Sequence, residues 1–101
     1  MTYTINGATF KSKNSFFNHV ETVFQPGFYW KKGKDLDVFN EILEGGFGGH
    51  DKGKEITVLW INFKKSESLL GIRFTKDVID CLEVTTNVNF KGYDYGLTEN
   101  P

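Results

Sequence analysis

The sequence predicts an α/β domain: a small parallel sheet with helices packed against it. Three observations carry this reading. Short runs rich in apolar and β-branched residues stand near the start, middle and end of the 101-residue chain and read as strands. Between them lie pairs of segments whose apolar residues recur at helical spacing. Strands separated by helical crossovers favour parallel pairing, which a tight turn cannot connect.

The elements follow in order. Residues 2–5 form a strand ending at Asn6-Gly7. Asn-Gly is a type I′ turn signal, so Ala8-Thr9-Phe10 either returns as a hairpin arm or passes through a simple turn into the first helix. That helix starts after Asn14, a good N-cap, with Ser12 as the competing cap. Phe16, Val20, Val23 and Phe24 make its apolar side, with Phe17 beside them, and Pro26-Gly27 ends it. A second helix spans about 35–44, with Asp35 as N-cap and Leu36, Phe39, Ile42 and Leu43 inward. Gly45 is its C′ residue, opening a glycine-rich stop over 45–49.

Residues 55–61 are the strongest strand, apolar enough for a central strand covered on both faces. Residues 66–70 suggest a short helix closed by Gly71. Thr75 caps a further helix over 76–83, with Val78, Ile79 and Leu82 inward. Residues 85–95 are β-rich, with Val88 and Phe90 in the strand and Tyr93 and Tyr95 in it or its continuation. Residues 1–96 read as one domain and 97–101 as a frayed polar tail.

Hydrophobic content of 39% and aromatic content of 16% suffice for one core without disulfides or metal. The single cysteine, Cys81, can form no internal disulfide, which fits a reducing compartment. No charged start leads into an apolar stretch, and no apolar run approaches the ~18 residues that span a bilayer. A cytoplasmic protein that does not enter the membrane is the expectation. Net charge is −1, but its distribution is uneven. Residues 1–34 carry five lysines against one glutamate; residues 35–44 carry four acids and no base.

Catalysis finds little support in these residues. His19 falls at the edge of an apolar stripe and reads as a boundary residue. His50 lies in the glycine-rich loop and reads as solvated. Cys81 sits in an amphipathic helix and reads as packing rather than nucleophile. Residues 48–54 match the spacing of a phosphate-binding loop, but Glu55 stands where that motif needs Ser or Thr. The segment also follows a helix and opens a strand, the reverse of the required context.

Two segments can carry recognition instead. Residues 28–34, Phe-Tyr-Trp-Lys-Lys-Gly-Lys, interleave aromatics with bases. They can stack on single-stranded RNA, anchor a protein partner, or simply pack on the core with lysines in water. Asp37, Glu41 and Glu44 fall at i, i+4 and i+7 on one face of the second helix, opposite its apolar side. Such a line of carboxylates imitates a nucleic-acid backbone. Interaction with the helix dipole accounts for Asp35 and Asp37 but not for Glu44, whose charge in the last turn opposes it.

These residues resemble the barstar family of intracellular ribonuclease inhibitors. The family pattern is a proline, an aromatic pair, Gly-x-Asn-Leu-Asp and a short acidic helix ending in glycine. Pro26, Phe28, Tyr29, Gly33, Leu36, Asp37, Glu41 and Gly45 stand in it. Ile5-Asn6-Gly7 followed by Phe10 and a helix, the apolar strand ending at Trp60, and the closing helix–strand pair extend the likeness over about residues 3–92.

The resemblance implies a three-stranded parallel sheet packed by about four helices. It implies a protein that is no enzyme, holds no cofactor or metal, and plugs the active site of a small basic ribonuclease one-to-one. Asp37 and Glu41 would enter the phosphate subsites, Phe28 or Tyr29 would stack over the catalytic histidine, and Gly33 and Gly45 would let backbone approach the partner. Glu44 would be peripheral.

The chain departs from the family at several contact positions. Glu41 replaces an Asp, Asn40 a Trp, and Asp35 an Asn. Gly46 takes the place of an aromatic for which Phe47 can substitute, and Trp30-Lys31-Lys32 are inserted. The enzyme inhibited could therefore be the toxin of a competition system, with this chain as its immunity protein. The alternatives are an RNA-binding module using residues 28–34 and an immunity protein for a toxin that is not a nuclease.

Overall fold

Among the described residues, pairs of helices separate three strands: β1 (Thr2–Asn6), α1 (Lys13–Phe24), α2 (Leu36–Glu44), β2 (Ile56–Ile61), α3 (Phe63–Leu70), α4 (Ile72–Val84) and β3 (Val88–Gly92). The computed structural model describes residues 1–25, 35–45 and 50–96. The strands form one parallel sheet in the order β1-β2-β3. Tyr3 pairs with Val58 and Ile5 with Trp60; Val58 pairs with Phe90 on the other side. The architecture is the α/β fold that the alternating elements predict.

Strand periodicity sends Ile56, Val58 and Trp60 to one face, where they are fully buried. Thr57, Leu59 and Ile61 point the other way and are only half-buried. The central strand is therefore not enclosed on both faces as its composition suggests. The core lies on one side, where Phe16, Val20 and Phe24 of α1 meet Phe39, Ile42 and Leu43 of α2 and Val78 and Leu82 of α4. Phe16 sits at its centre. It stacks on Trp60 (centroids 6.1 Å apart) and meets Phe10, Phe39 and Phe74 edge-on at 5.2, 5.8 and 5.7 Å. Each such pair adds about 0.5–1.5 kcal/mol beyond the area it buries.

The turn after β1 is a simple one. The Asn6 side chain accepts from Ala8 N–H at 3.0 Å and its carbonyl from Thr9 N–H at 3.1 Å. A type I′ hairpin needs positive φ at both central residues, and neither Asn6 nor Gly7 has it. Gly7 instead extends the ladder to the Ile61 carbonyl at 2.9 Å. A Cβ on Gly7 would run into Ser66 Oγ and the Asn62 carbonyl, so this glycine serves a close approach between β1 and the β2–α3 junction. Beneath it, the buried Trp60 indole donates to Ser66 Oγ at 2.8 Å.

The helix starts shift from those the local signals suggest. Ser12, not Asn14, caps α1. Ser12 Oγ accepts Ser15 N–H, and Ser15 Oγ accepts Ser12 N–H, so Ser15 fills the reciprocal position usually held by Glu or Gln. Helix α3 begins at Phe63 without a side-chain cap. The N–H groups of Asn62 and Phe63 are satisfied by the carbonyls of Tyr95 and Tyr93 at 2.8 and 2.9 Å. Tyr93 and Tyr95 thus lie past β3, running over the start of α3.

Helix α4 starts at Ile72 directly after Gly71, whose φ of 90° turns the chain between the two helices. Thr75 is therefore inside the helix rather than its cap. It is buried, and its hydroxyl has no hydrogen-bond partner among the described residues. Among the described residues, no helix is long and apolar enough to cross a membrane.

Candidate partner-binding face on α2

Helix α2 is fixed at both ends. Asp35 precedes it in extended conformation, and its Oδ1 accepts Val38 N–H at 2.9 Å, the N-cap bond its side chain suggests. At the other end every carbonyl of the last turn finds a donor. Gly45 N–H reaches both Glu41 and Ile42 carbonyls at 3.1 Å. The Leu43 carbonyl accepts from His50 Nε2 and Asn87 Nδ2, each at 2.9 Å. The Glu44 carbonyl accepts Gly53 N–H at 2.7 Å. Orphan carbonyls at a helix end need partners from caps, other segments or water; here Gly45, His50, Gly53 and Asn87, none of them in a helix or strand, supply them.

His50 is thus not solvated. It is half-buried, its ring 5.8 Å from that of Tyr3, and it carries its proton on Nε2 to donate to Leu43. Gly45 is buried with φ 98°, and a Cβ there would collide with the Asp51 carbonyl and His50. Its lack of a side chain admits the 50–51 backbone.

The helix turns Phe39, Ile42 and Leu43 into the core. On the opposite side Asp37 and Glu44 are exposed and Glu41 is half-buried, so the three acids do share one face. Asn40 lies beside them, tied to α4. Thr85 Oγ1 stands 2.7 Å from Asn40 Oδ1 and 2.7 Å from the Cys81 carbonyl, sharing its proton between them. Phe28, Tyr29, Gly33 and Phe47 lie outside the described residues, as does the whole 28–34 segment.

Packing adds an acid that the sequence pattern did not single out. Cys81 of α4 reaches the Leu36 carbonyl at 3.8 Å. Burial pushes its thiol pKa up, reinforced by the carboxylates of Asp37, Asp80 and Asp77. A thiol held protonated in this way is a poor nucleophile. Asp77 lines one hollow with Asp37, so the acidic surface reaches α4, while Asp80 is paired with Lys76 at 3.7 Å. On α4 Asp77 reads as part of an ordinary solvated face; only the packing of α4 on α2 brings it to the site.

Two depressions flank α2. At its start, a shallow hollow of about 380 Å³ has Phe17 and Phe74 in its wall with Asp35, Asp37 and Asp77 around them. Lys13 Nζ lies over the Phe74 ring there, 5.2 Å from the centroid. At its end, a cleft of about 520 Å³ opens between the C-terminal ends of α2 and α4. Among the described residues, no three His, Cys, Asp or Glu side chains converge to hold a metal ion. Gly53 and Lys54 lead into β2 after α2, not from a strand into a helix as a phosphate loop requires. No protein-family model matches this chain, and no curated protein matches its sequence.

Proposed function

We propose that this protein is a barstar-like inhibitor that occludes the active site of a small basic ribonuclease with the acidic face of α2. The observation that carries the reading is the pairing of rigidity with charge. Asp37, Glu41 and Glu44 stand on one side of a helix hydrogen-bonded at both ends, with Asp77 of α4 in the hollow beside Asp37. A preorganised carboxylate array loses little entropy on binding and competes with the phosphates of an RNA substrate for a basic cleft. Phe28 or Tyr29 would anchor the complex over the enzyme's catalytic histidine, with Gly33, Asn40 and Phe47 around them; Gly45, buried against residues 50–51, would hold the helix end rather than touch the partner. The complex would be one-to-one, need no cofactor, and act in the cytoplasm.

The test is capture from the source organism's lysate and culture fluid, with an Asp37→Ala/Glu41→Ala double variant alongside. The expected result is a small basic protein retained by the wild type alone, whose ribonuclease activity the inhibitor abolishes. Each single substitution should weaken the complex by about 2 kcal/mol or more while leaving folding intact. Equal capture by both proteins, or a captured enzyme without ribonuclease activity, would overturn the assignment.

A further inference from the structure

The two edges of the sheet differ. The outward backbone groups of β1 end at Asn6, whose N–H goes to His19 at 3.0 Å and whose carbonyl takes Thr9 N–H at 3.1 Å. On β3 the hydrogen bonds fix which groups face out. The Asn87 carbonyl accepts Ile56 N–H at 2.9 Å, and Tyr93 N–H donates to the Trp60 carbonyl at 2.8 Å. Alternation along the strand then aims the backbone of Asn89 and Lys91 at β2, and that of Val88, Phe90 and Gly92 away from it. The Thr85 carbonyl takes Val88 N–H at 3.1 Å. The Val88 carbonyl and both backbone groups of Phe90 and Gly92 have no partner among the described residues.

Charge is arranged beside this edge. Phe90 pairs with Val58 on the core side, so Asn89 and Lys91 project from the open face. Asn89 Nδ2 donates to Glu55 Oε2 at 2.9 Å, which holds that carboxylate next to the edge strand. Lys91 is exposed and forms no ion pair among the described residues.

We propose that β3 pairs antiparallel with β3 of a second copy of this chain, about a two-fold axis at Phe90. The N–H and carbonyl of Phe90 exchange bonds with those of the second copy's Phe90. Gly92 N–H meets the second copy's Val88 carbonyl, and the absent side chain of Gly92 leaves room for that valine. Lys91 then stands across from the second copy's Asn89, and its ammonium reaches the Glu55 carboxylate that Asn89 holds. Symmetry makes this contact twice. An axis at Lys91 instead would set two lysines face to face, so charge selects the register. Lysine on an edge strand ordinarily guards against pairing; here the second copy supplies the opposite charge. The pairing engages no residue of α2 and stands apart from the ribonuclease reading.

Sedimentation velocity of the full chain from roughly 10 μM to 1 mM, the range in which a small interface associates, should show a reversible monomer–dimer equilibrium. Gly92→Pro deletes an outward N–H and none that faces β2. The φ of Gly92 is not positive, and a Cβ there meets Phe90 at an ordinary 3.6 Å, so this variant should fold as the wild type does. It should weaken the dimer about tenfold or more through its two lost hydrogen bonds. Lys91→Glu and Glu55→Lys should each weaken it roughly tenfold, the scale of two exposed charge pairs. The two substitutions together should restore it. A monomer over the whole range would overturn the proposal. So would a dimer indifferent to Gly92→Pro, or one that the paired charge swap fails to restore.

Discussion

The imidazole Nε2 of His19 accepts the backbone N–H of Asn6 at 3.0 Å, so α1 grips the end of β1 through a neutral histidine. The other ring nitrogen faces Thr9 Oγ1 at 3.2 Å, and that hydroxyl donates to the Asn6 carbonyl at 2.7 Å. With the proton on Nδ1, the contacts close into a ring that holds the turn.

Burial lowers the His19 pKa below the usual histidine range. The folded state therefore binds fewer protons than the unfolded one just below pH ~6.5. The stability that neutral His19 supplies is complete above that pH and is lost as pH falls toward the depressed folded value. Urea midpoints at pH 7.5 and 5.0 should differ less in His19→Gln than in the wild type. An equal difference in the two proteins would rule out His19 as the titrating group.

Gly45 and Gly53 both have positive φ, 98° and 76°, but only Gly45 is crowded. Gly53→Ala should cost about 1–2 kcal/mol, the left-handed backbone penalty alone. Gly45→Ala should cost about 2–4 kcal/mol, because the collision with Asp51 adds overpacking. Denaturant unfolding of the two variants measures the gap, and similar losses would contradict the crowding at Gly45.

Asn87 offers a sharper test of how α2 is held. Its amide donates to Leu43 at 2.9 Å and to Lys54 at 3.0 Å, while its own carbonyl accepts Ile56 N–H at 2.9 Å. Asn87→Ala should destabilise by about 1–2 kcal/mol. Asn87→Asp should cost more, since a carboxylate would face two carbonyls. Hydrogen exchange should speed up at the end of α2 more than in α1.

Thr75 is the one described buried side-chain oxygen or nitrogen without a partner. Burying a hydroxyl unbonded is unfavourable, and valine has nearly its shape. Thr75→Val should raise stability by about 1 kcal/mol in thermal or denaturant melts. A loss would show that the hydroxyl is satisfied in solution.

What the sequence discloses about this fold is what nearest neighbours decide. Asp35 is legible as a cap, and the α2 acids as one face, because both follow from spacing within a single helix. Ser12 and Asn14 are equally good caps by type; the reciprocal bond from Ser15 decides between them. Thr75 looks like a cap yet lies inside α4, because Gly71 already supplies the break between the helices. The half-open face of β2, the place of His50 beside Tyr3, and Asp77 of α4 in one hollow with Asp37 all depend on how distant segments meet, which no local pattern encodes.

Asn87 also sets an order of events. Each strand pair joins distant parts of the chain, Thr2 with Thr57 and Ile56 with Val88, and such long-range pairings are slow to form. The Leu43 carbonyl gains its Asn87 donor only when the segment leading into the last strand has docked. The acid-bearing helix therefore becomes fully anchored only once that segment is in place. A nascent chain still emerging from the ribosome carries the carboxylates of α2 before it carries the brace that aligns them.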